Sequence, residues 1–193
     1  MHGATDNPSA WVARWARAIP PGEVLDLACG GGRHARLLAS LGHPVLAVDR
    51  DAAALALAAG PGITILEQDL ENELEEEGSA WPFAPGRFAG IVVTNYLHRP
   101  LFAHLAEALA PDGILVYETF AQGNERFGKP SNPAFLLAPG ELLDVAQRHG
   151  LRVLAYEDGV VDAPRPARVQ RLCAAGAAFD PGAARLDLLV TEL

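Results

Sequence analysis

The sequence predicts an α/β protein built on a mostly parallel seven-stranded sheet, with an antiparallel last strand and helices on both faces. Three observations predict it. Near-continuous apolar runs of strand length alternate with segments of helical period, the pattern of a parallel sheet covered on both sides. The first of these runs ends in three consecutive glycines, Gly30-Gly31-Gly32, followed by a helix-like stretch. The last two runs have only a loop between them, which predicts antiparallel pairing. With 193 residues and half of them hydrophobic, the chain suits one domain over residues 1–193 with a sizeable core.

The elements follow in order. Residues 9–19 predict a helix, with Ser9 as N-cap and Trp11, Trp15 and Ile19 on one face. Pro20-Pro21-Gly22 ends it, and strand one is 23–28. A helix from about Gly32 to Leu41 turns Leu37, Leu38 and Leu41 inward and stops at Gly42. Strand two is 44–49, a short helix capped by Asp51 covers 51–59, and strand three is 63–67. Residues 70–87 read as irregular and acidic, anchored by Trp81-Pro82-Phe83. Strand four is 88–94. Pro100 opens a helix to Ala110, and Pro111-Asp112-Gly113 turns into strand five, 114–120. A long loop, 121–138, precedes a helix at 140–149. Strand six is 151–157 and strand seven about 168–175.

Composition removes several functional classes. The net charge is −9, and the run Glu71 to Glu77 adds to it, so the surface repels phosphate and nucleic acid is not an expected partner. No apolar run reaches the roughly 18 residues that span a bilayer, so no membrane partner is expected. The start, MHGATDNPSAWVARWARAI, lacks a basic stretch followed by an apolar core, so no secretory leader is expected. Cys29 and Cys173 match no disulfide framework or zinc spacing, which predicts a reducing cytoplasm and no metal site.

The stretch VLDLACGGGRHA, residues 24–35, points to a nucleotide-like ligand. Gly30 to Ala35 satisfies G-x-G-x-x-G/A, and Asp49 ends strand two, where an acid binds ribose hydroxyls. That much fits NAD. Asp26 argues against it, because a carboxylate four residues before Gly30 would repel a pyrophosphate. S-adenosylmethionine places an ammonium and a carboxylate there instead. Asp26 then pairs with the ammonium and the helix N-terminus receives the carboxylate. The alternative for Asp26 is a turn-capping acid. Asp69 follows strand three and can accept from an adenine amine, or it caps an Asx turn. Three acids ending three successive strands lie on the sheet edge where open α/β folds bind ligands.

LDLACGGG resembles motif I of the class I S-adenosylmethionine-dependent methyltransferases, D/E-x-G-x-G-x-G, through Asp26, Ala28, Gly30 and Gly32. Ala28 stands where that motif has its first glycine. Asp49 matches the family's ribose acid, and Asp69-Leu70 its adenine-side pair. Asn95 to Leu97 fall at the fourth motif, and Arg50 and Asn95 complete the cofactor-binding set. The resemblance covers about residues 20–175 and implies a Rossmann-like fold with S-adenosylmethionine as cofactor. Within the class the chain is similar to small bacterial methyltransferases grouped as tellurite-resistance-like.

Methyl transfer from a sulfonium needs positioning and desolvation more than a fixed signature. Tyr96, His98 and Glu118 are the candidate catalytic residues. Asn95, Tyr96, His98 and Arg99 lie between strand four and its helix, and this is not the Asn-Pro-Pro-Tyr of amino-group methyltransferases. His98 suits a general base near neutral pH, or a capping histidine before Pro100. Glu118 ends strand five and, with Asn124, Glu125 and Arg126, faces the acceptor or stabilises the loop. Strands four and five are expected beside strand one, with loop 121–138 closing over the site and Trp11 and Trp15 as an apolar lid. The expected partner is a small-molecule methyl acceptor; the sequence names neither that molecule nor an oligomeric state. A NAD(P)-dependent oxidoreductase and a non-catalytic S-adenosylmethionine-binding protein remain the alternatives.

Overall fold

A computed structural model describes residues 7–71 and 81–184. Most of the acidic run 71–77 and residues 185–193 lie outside the described residues. The described chain alternates as α1 (Ala10–Trp15), β1 (Val24–Leu27), α2 (Arg33–Ser40), β2 (Val45–Asp49), α3 (Ala52–Ala58) and β3 (Ile63–Glu67). It continues as β4 (Phe88–Thr94), α4 (Leu101–Ala108), β5 (Leu109–Phe120), α5 (Glu141–Arg148), β6 (Arg152–Val161) and β7 (Ala167–Ala175).

These form one seven-stranded sheet in the order β3-β2-β1-β4-β5-β7-β6. The first five strands pair parallel, and β7 runs antiparallel to both neighbours. The predicted architecture holds. Two strand boundaries differ by more than one residue. β5 begins at Leu109, and Pro111-Asp112-Gly113 is carried as a register shift against β4 rather than as a separate turn. β6 runs on to Val161 because it pairs with β7 as far as Val161↔Ala167. A third expectation is corrected: β4 lies beside β1, but β5 is one strand further out, because its pairs are β4 and β7.

Alternation along each strand divides the core between the two faces. Val24, Val45, Ala47, Val92 and Val116 pack with Trp11 and Trp15 of α1, Leu38 of α2 and Leu55 of α3. Leu25, Leu46, Ile91, Val93 and Leu115 pack with Leu101 of α4 and Leu142 of α5. Trp11 and Trp15 are therefore core residues, not a lid. Both rings are buried, they meet edge to face, and Trp11 Nε1 donates to the Leu172 carbonyl. Ser9 does cap α1, accepting from Trp11 N–H, and Asp51 caps α3 through Ala53 and Ala54.

The long loop is ordered by its own side chains. Asn124 is buried, donates to the Pro130 carbonyl and accepts from Arg168 N–H, while Glu125 accepts from Gly123 N–H. Two single-turn helices, Asn124–Arg126 and Pro133–Phe135, shape it. Asn124 and Glu125 are thus loop-stabilising groups.

Candidate cofactor and acceptor site

The C-terminal ends of β1 to β5 open onto one cavity of about 420 Å³. Ala28 follows β1, Asp49 ends β2, Gln68 to Leu70 follow β3, Asn95 to Leu97 follow β4, and Phe120 ends β5; all line this cavity. Of the predicted cofactor-side residues, Ala28, Asp49, Arg50, Asp69, Leu70 and Asn95 come together here.

The turn itself explains the arrangement. Gly30 N–H donates to Asp49 Oδ2 at 2.7 Å, so the ribose acid and the glycine turn hold each other in place. Asp49 Oδ1 accepts from Asp51 N–H at 3.0 Å. Ala28 and Asn95 both take positive φ, 53° and 55°, at the ends of adjacent strands. A left-handed alanine costs roughly 1–2 kcal/mol, and asparagine less. Strain of this kind concentrates where backbone must turn sharply beside a ligand.

The two glycines of the motif do different work. A Cβ on Gly30, at φ +52°, would point into open space. A Cβ on Gly32 would sit 2.4 Å from Ala58 Cβ and 2.6 Å from its Cα. Gly32, expected to bind cofactor, serves the packing of α2 on α3.

Asp26 is buried under this turn. Ala35 N–H donates to its carboxylate, and its Oδ2 has no partner among the described residues. Burial raises its pKa from the ordinary 3.8 to about 7, against the lowering effects of Ala35 N–H and Arg33. Asp26, Gly30 and Gly32 are not among the residues that line this cavity or its neighbour; the unpartnered Asp26 oxygen lies buried beneath the turn, where a carboxylate disfavours a pyrophosphate. Asp69 Oδ1 accepts from Glu71 N–H, and Arg50 approaches Asp69 at 3.9 Å and Glu71 at 3.7 Å. The residues present fit S-adenosylmethionine.

A second cavity of about 320 Å³ adjoins the first; Asn95 and Phe120 line both. Glu118 faces it, but its Oε2 accepts from Arg171 at 2.6 Å and from Ser9 Oγ at 3.1 Å. Glu118 therefore anchors the segment before α1 and is not an unengaged base. Tyr96 lines the first cavity, where burial and the nearby acids Glu71 and Asp69 push its hydroxyl above its ordinary range. His98 is corrected: Leu97 faces the cavity, and His98, the next residue, is not among the lining residues of either cavity. Its Nε2 is buried with no hydrogen-bond partner among the described residues. Arg99 is a clamp, bonded twice to Glu141 and to the carbonyls of Ala134 and Leu136.

His34 and Arg171 escaped the sequence reading. His34 Nε2 accepts from Ser9 N–H at 3.1 Å, which assigns the ring proton to Nδ1, 3.4 Å from Thr94 Oγ1. The GRHA spacing hints at His34, since it falls in the first turn of the helix. Nothing local marks Arg171, because its partner lies 53 residues away.

His34 and Asp26 make an opposed titrating pair. Burial, with help from Arg33, lowers His34 from 6.5 to about 3. Between about pH 4 and 6.5 the unfolded chain holds a His34 proton that the folded chain lacks, so His34 lowers stability as pH falls. In nearly the same window the folded chain holds an Asp26 proton that the unfolded chain lacks, so Asp26 raises it. Each slope is about 1.4 kcal/mol per pH unit, and they cancel. His34→Gln is expected to become more stable as pH falls from 7 to 4, and Asp26→Asn less stable. Urea midpoints across that range check this; three parallel curves would refute it.

Among the described residues, no group of three or more His, Cys, Asp or Glu is placed to hold a metal. None of the described helices is long and apolar enough to cross a membrane. Burial pushes the Cys29 and Cys173 thiols well up, as suits packed residues rather than nucleophiles.

Residues 24–113, from β1 to the start of β5's main run, match the methyltransferase domain family. The solved structure of TehB from Haemophilus influenzae superposes with a TM-score of 0.70 at 18% identity, over 88% of this chain and 62% of that one. The chain has the class I methyltransferase fold. The geranyl diphosphate C-methyltransferase of Streptomyces coelicolor A3(2), solved with Mg2+, geranyl diphosphate and S-adenosyl-L-homocysteine, shares this methyltransferase fold. Its TM-score is 0.62 at 15% identity, over 84% of this chain and 78% of that one. A protein-L-isoaspartate O-methyltransferase of Chlorobaculum tepidum is 34% identical over 98 residues, which is 51% of this chain and 45% of that protein. The match thus spans less than half of that curated relative's length. The fold sets β1 between β2 and β4, so Ala28, just after it, lines the same cavity as Asp49, Asp69 and Asn95.

Proposed function

We propose that this chain is an S-adenosylmethionine-dependent methyltransferase that acts on a small molecule by in-line methyl transfer. The observation that carries the proposal is the unpartnered, buried Asp26 oxygen beneath the glycine turn, with Asp49 and Asp69 at the next two strand ends. When bound, the cofactor supplies an electrophilic methyl on a sulfonium. Asp26 holds the ammonium, Asp49 the ribose and Asp69 with Leu70 the adenine. Asn95 and Phe120, shared by both cavities, mark where the methyl meets its acceptor. The second cavity, of about 320 Å³, supports a small acceptor, in keeping with a geranyl diphosphate methyltransferase among the similar folds. Two buried free thiols accord with the cytoplasm as its compartment.

Calorimetry tests the reading. S-adenosylmethionine is expected to bind and NADH not to. Asp49→Ala should weaken binding by about 1–3 kcal/mol, through lost bonds to the ribose and to Gly30 N–H. An unchanged dissociation constant for Asp49→Ala would show the ribose to be elsewhere, and tighter NADH binding would replace the reading with the oxidoreductase alternative.

A further inference from the structure

Two phenylalanines line the β5 side of the first cavity, Phe120 at the end of the strand and Phe135 in the loop that follows. Phe120 is buried, but Phe135 is 53% exposed, a large apolar ring left in contact with water. The fold nevertheless fixes its backbone. Arg99 donates to the carbonyls on either side of Phe135, Ala134 at 2.8 Å and Leu136 at 3.0 Å, and is itself held twice by Glu141. Asn132 caps the single turn Pro133–Phe135 by accepting from Ala134 N–H. Leu137 N–H donates to the Phe120 carbonyl, and Leu137 pairs with Ala121. The chain around Phe135 is thus tied to the end of β5, beside Phe120.

Those ties also set which end of the cavity Phe135 occupies. Neighbouring strands lie about 4.8 Å apart, and β5 is four places from β3 in the sheet order. Asp69 and Leu70, which follow β3, are placed at the adenine. Phe120 and Phe135 therefore belong to the opposite end, where the methyl is placed. The positive centre of the cofactor lies beside that methyl. A sulfonium has no N–H or O–H to donate, so no hydrogen bond from it can hold it. The negative face of an aromatic ring attracts such a cation and remains an apolar surface for the carbons around it. A leucine in the same place supplies the apolar surface without the attraction.

Resting on the S-adenosylmethionine reading, we propose that Phe135, together with Phe120, recognises the positive charge of the cofactor's sulfonium through its ring face. Methyl transfer turns the sulfonium into a neutral thioether, so the attraction ends with the reaction. It favours the methyl-bearing cofactor over the spent one and helps the spent one leave. Asp49 and Asp69 line the same cavity and attract the same charge through space. The informative quantity is therefore the change in preference when the ring is removed, not the preference of the parent chain.

Calorimetry on the full chain tests this with three probes: S-adenosylmethionine, S-adenosylhomocysteine, and sinefungin, whose ammonium stands where the methyl group would be. Phe135→Leu keeps the apolar wall and removes the ring. It is expected to weaken S-adenosylmethionine and sinefungin about two- to fivefold more than S-adenosylhomocysteine. Phe135→Tyr should restore the parental ratios. Phe135 is exposed, so both variants should keep the parent's circular dichroism. The proposal falls if the ratio of S-adenosylmethionine to S-adenosylhomocysteine affinity is the same in Phe135→Leu and the parent. It also falls if sinefungin follows S-adenosylhomocysteine, or if Phe135→Tyr behaves like Phe135→Leu. A parent chain that binds none of the three probes would instead overturn the methyltransferase reading beneath it.

Discussion

Gly32→Ala is expected to cost the fold about 2–5 kcal/mol, the sum of a left-handed alanine and an overpacked contact. Gly32 has φ +75°, and its added methyl would lie 2.4 Å from Ala58 Cβ and 2.6 Å from Ala58 Cα. One of those atoms is backbone, so no rotamer change relieves the clash. Either α2 lifts from α3 or the turn deforms. Urea unfolding measures the loss, and a stability within 0.5 kcal/mol of the parent would mean the two helices do not meet as described.

Gly30→Val is expected to do the opposite: keep the fold and lose the cofactor. Its φ of +52° makes any branched side chain strained, at roughly 1–2 kcal/mol. Nothing lies within 4 Å of the added Cβ, so the fold is expected to tolerate the substitution apart from that strain. The new methyl groups fill the open space above the turn, beside Asp49, where the methionyl part of the cofactor is placed by this reading. Affinity should fall at least about a hundredfold, or about 3 kcal/mol. Circular dichroism should be unchanged while calorimetry goes flat. Parental affinity in a folded Gly30→Val would remove the ligand role of the turn and leave both glycines to packing.

Much of the fold, and the sheet edge on which the cofactor is proposed to bind, were legible in the chain. Strand and helix alternation, Ser9 and Asp51 as caps, and acids ending β1, β2 and β3 are local features. They depend on periodicity, on one side chain reaching its own backbone, and on a turn that only small residues make. The proposed cofactor edge inherits that legibility, because it is built from strand ends that follow one another in sequence.

The acceptor half was decided by contacts between distant segments. Strand alternation does not say that β7 inserts between β5 and β6, and that insertion brings Arg171 against Glu118. Ser9 reaches Glu118 across 109 positions and His34 across 25. Trp11 and Trp15 looked available as a lid because an amphipathic helix does not announce which surface it covers; the sheet face took them, since that buries most apolar area. What the sequence determined alone was therefore the frame and the cofactor edge, where each group's position follows from its own neighbours. What only the tertiary structure decided was which charges cancel and which remain, because a carboxylate becomes an anchor or a base only when its partner across the fold is known.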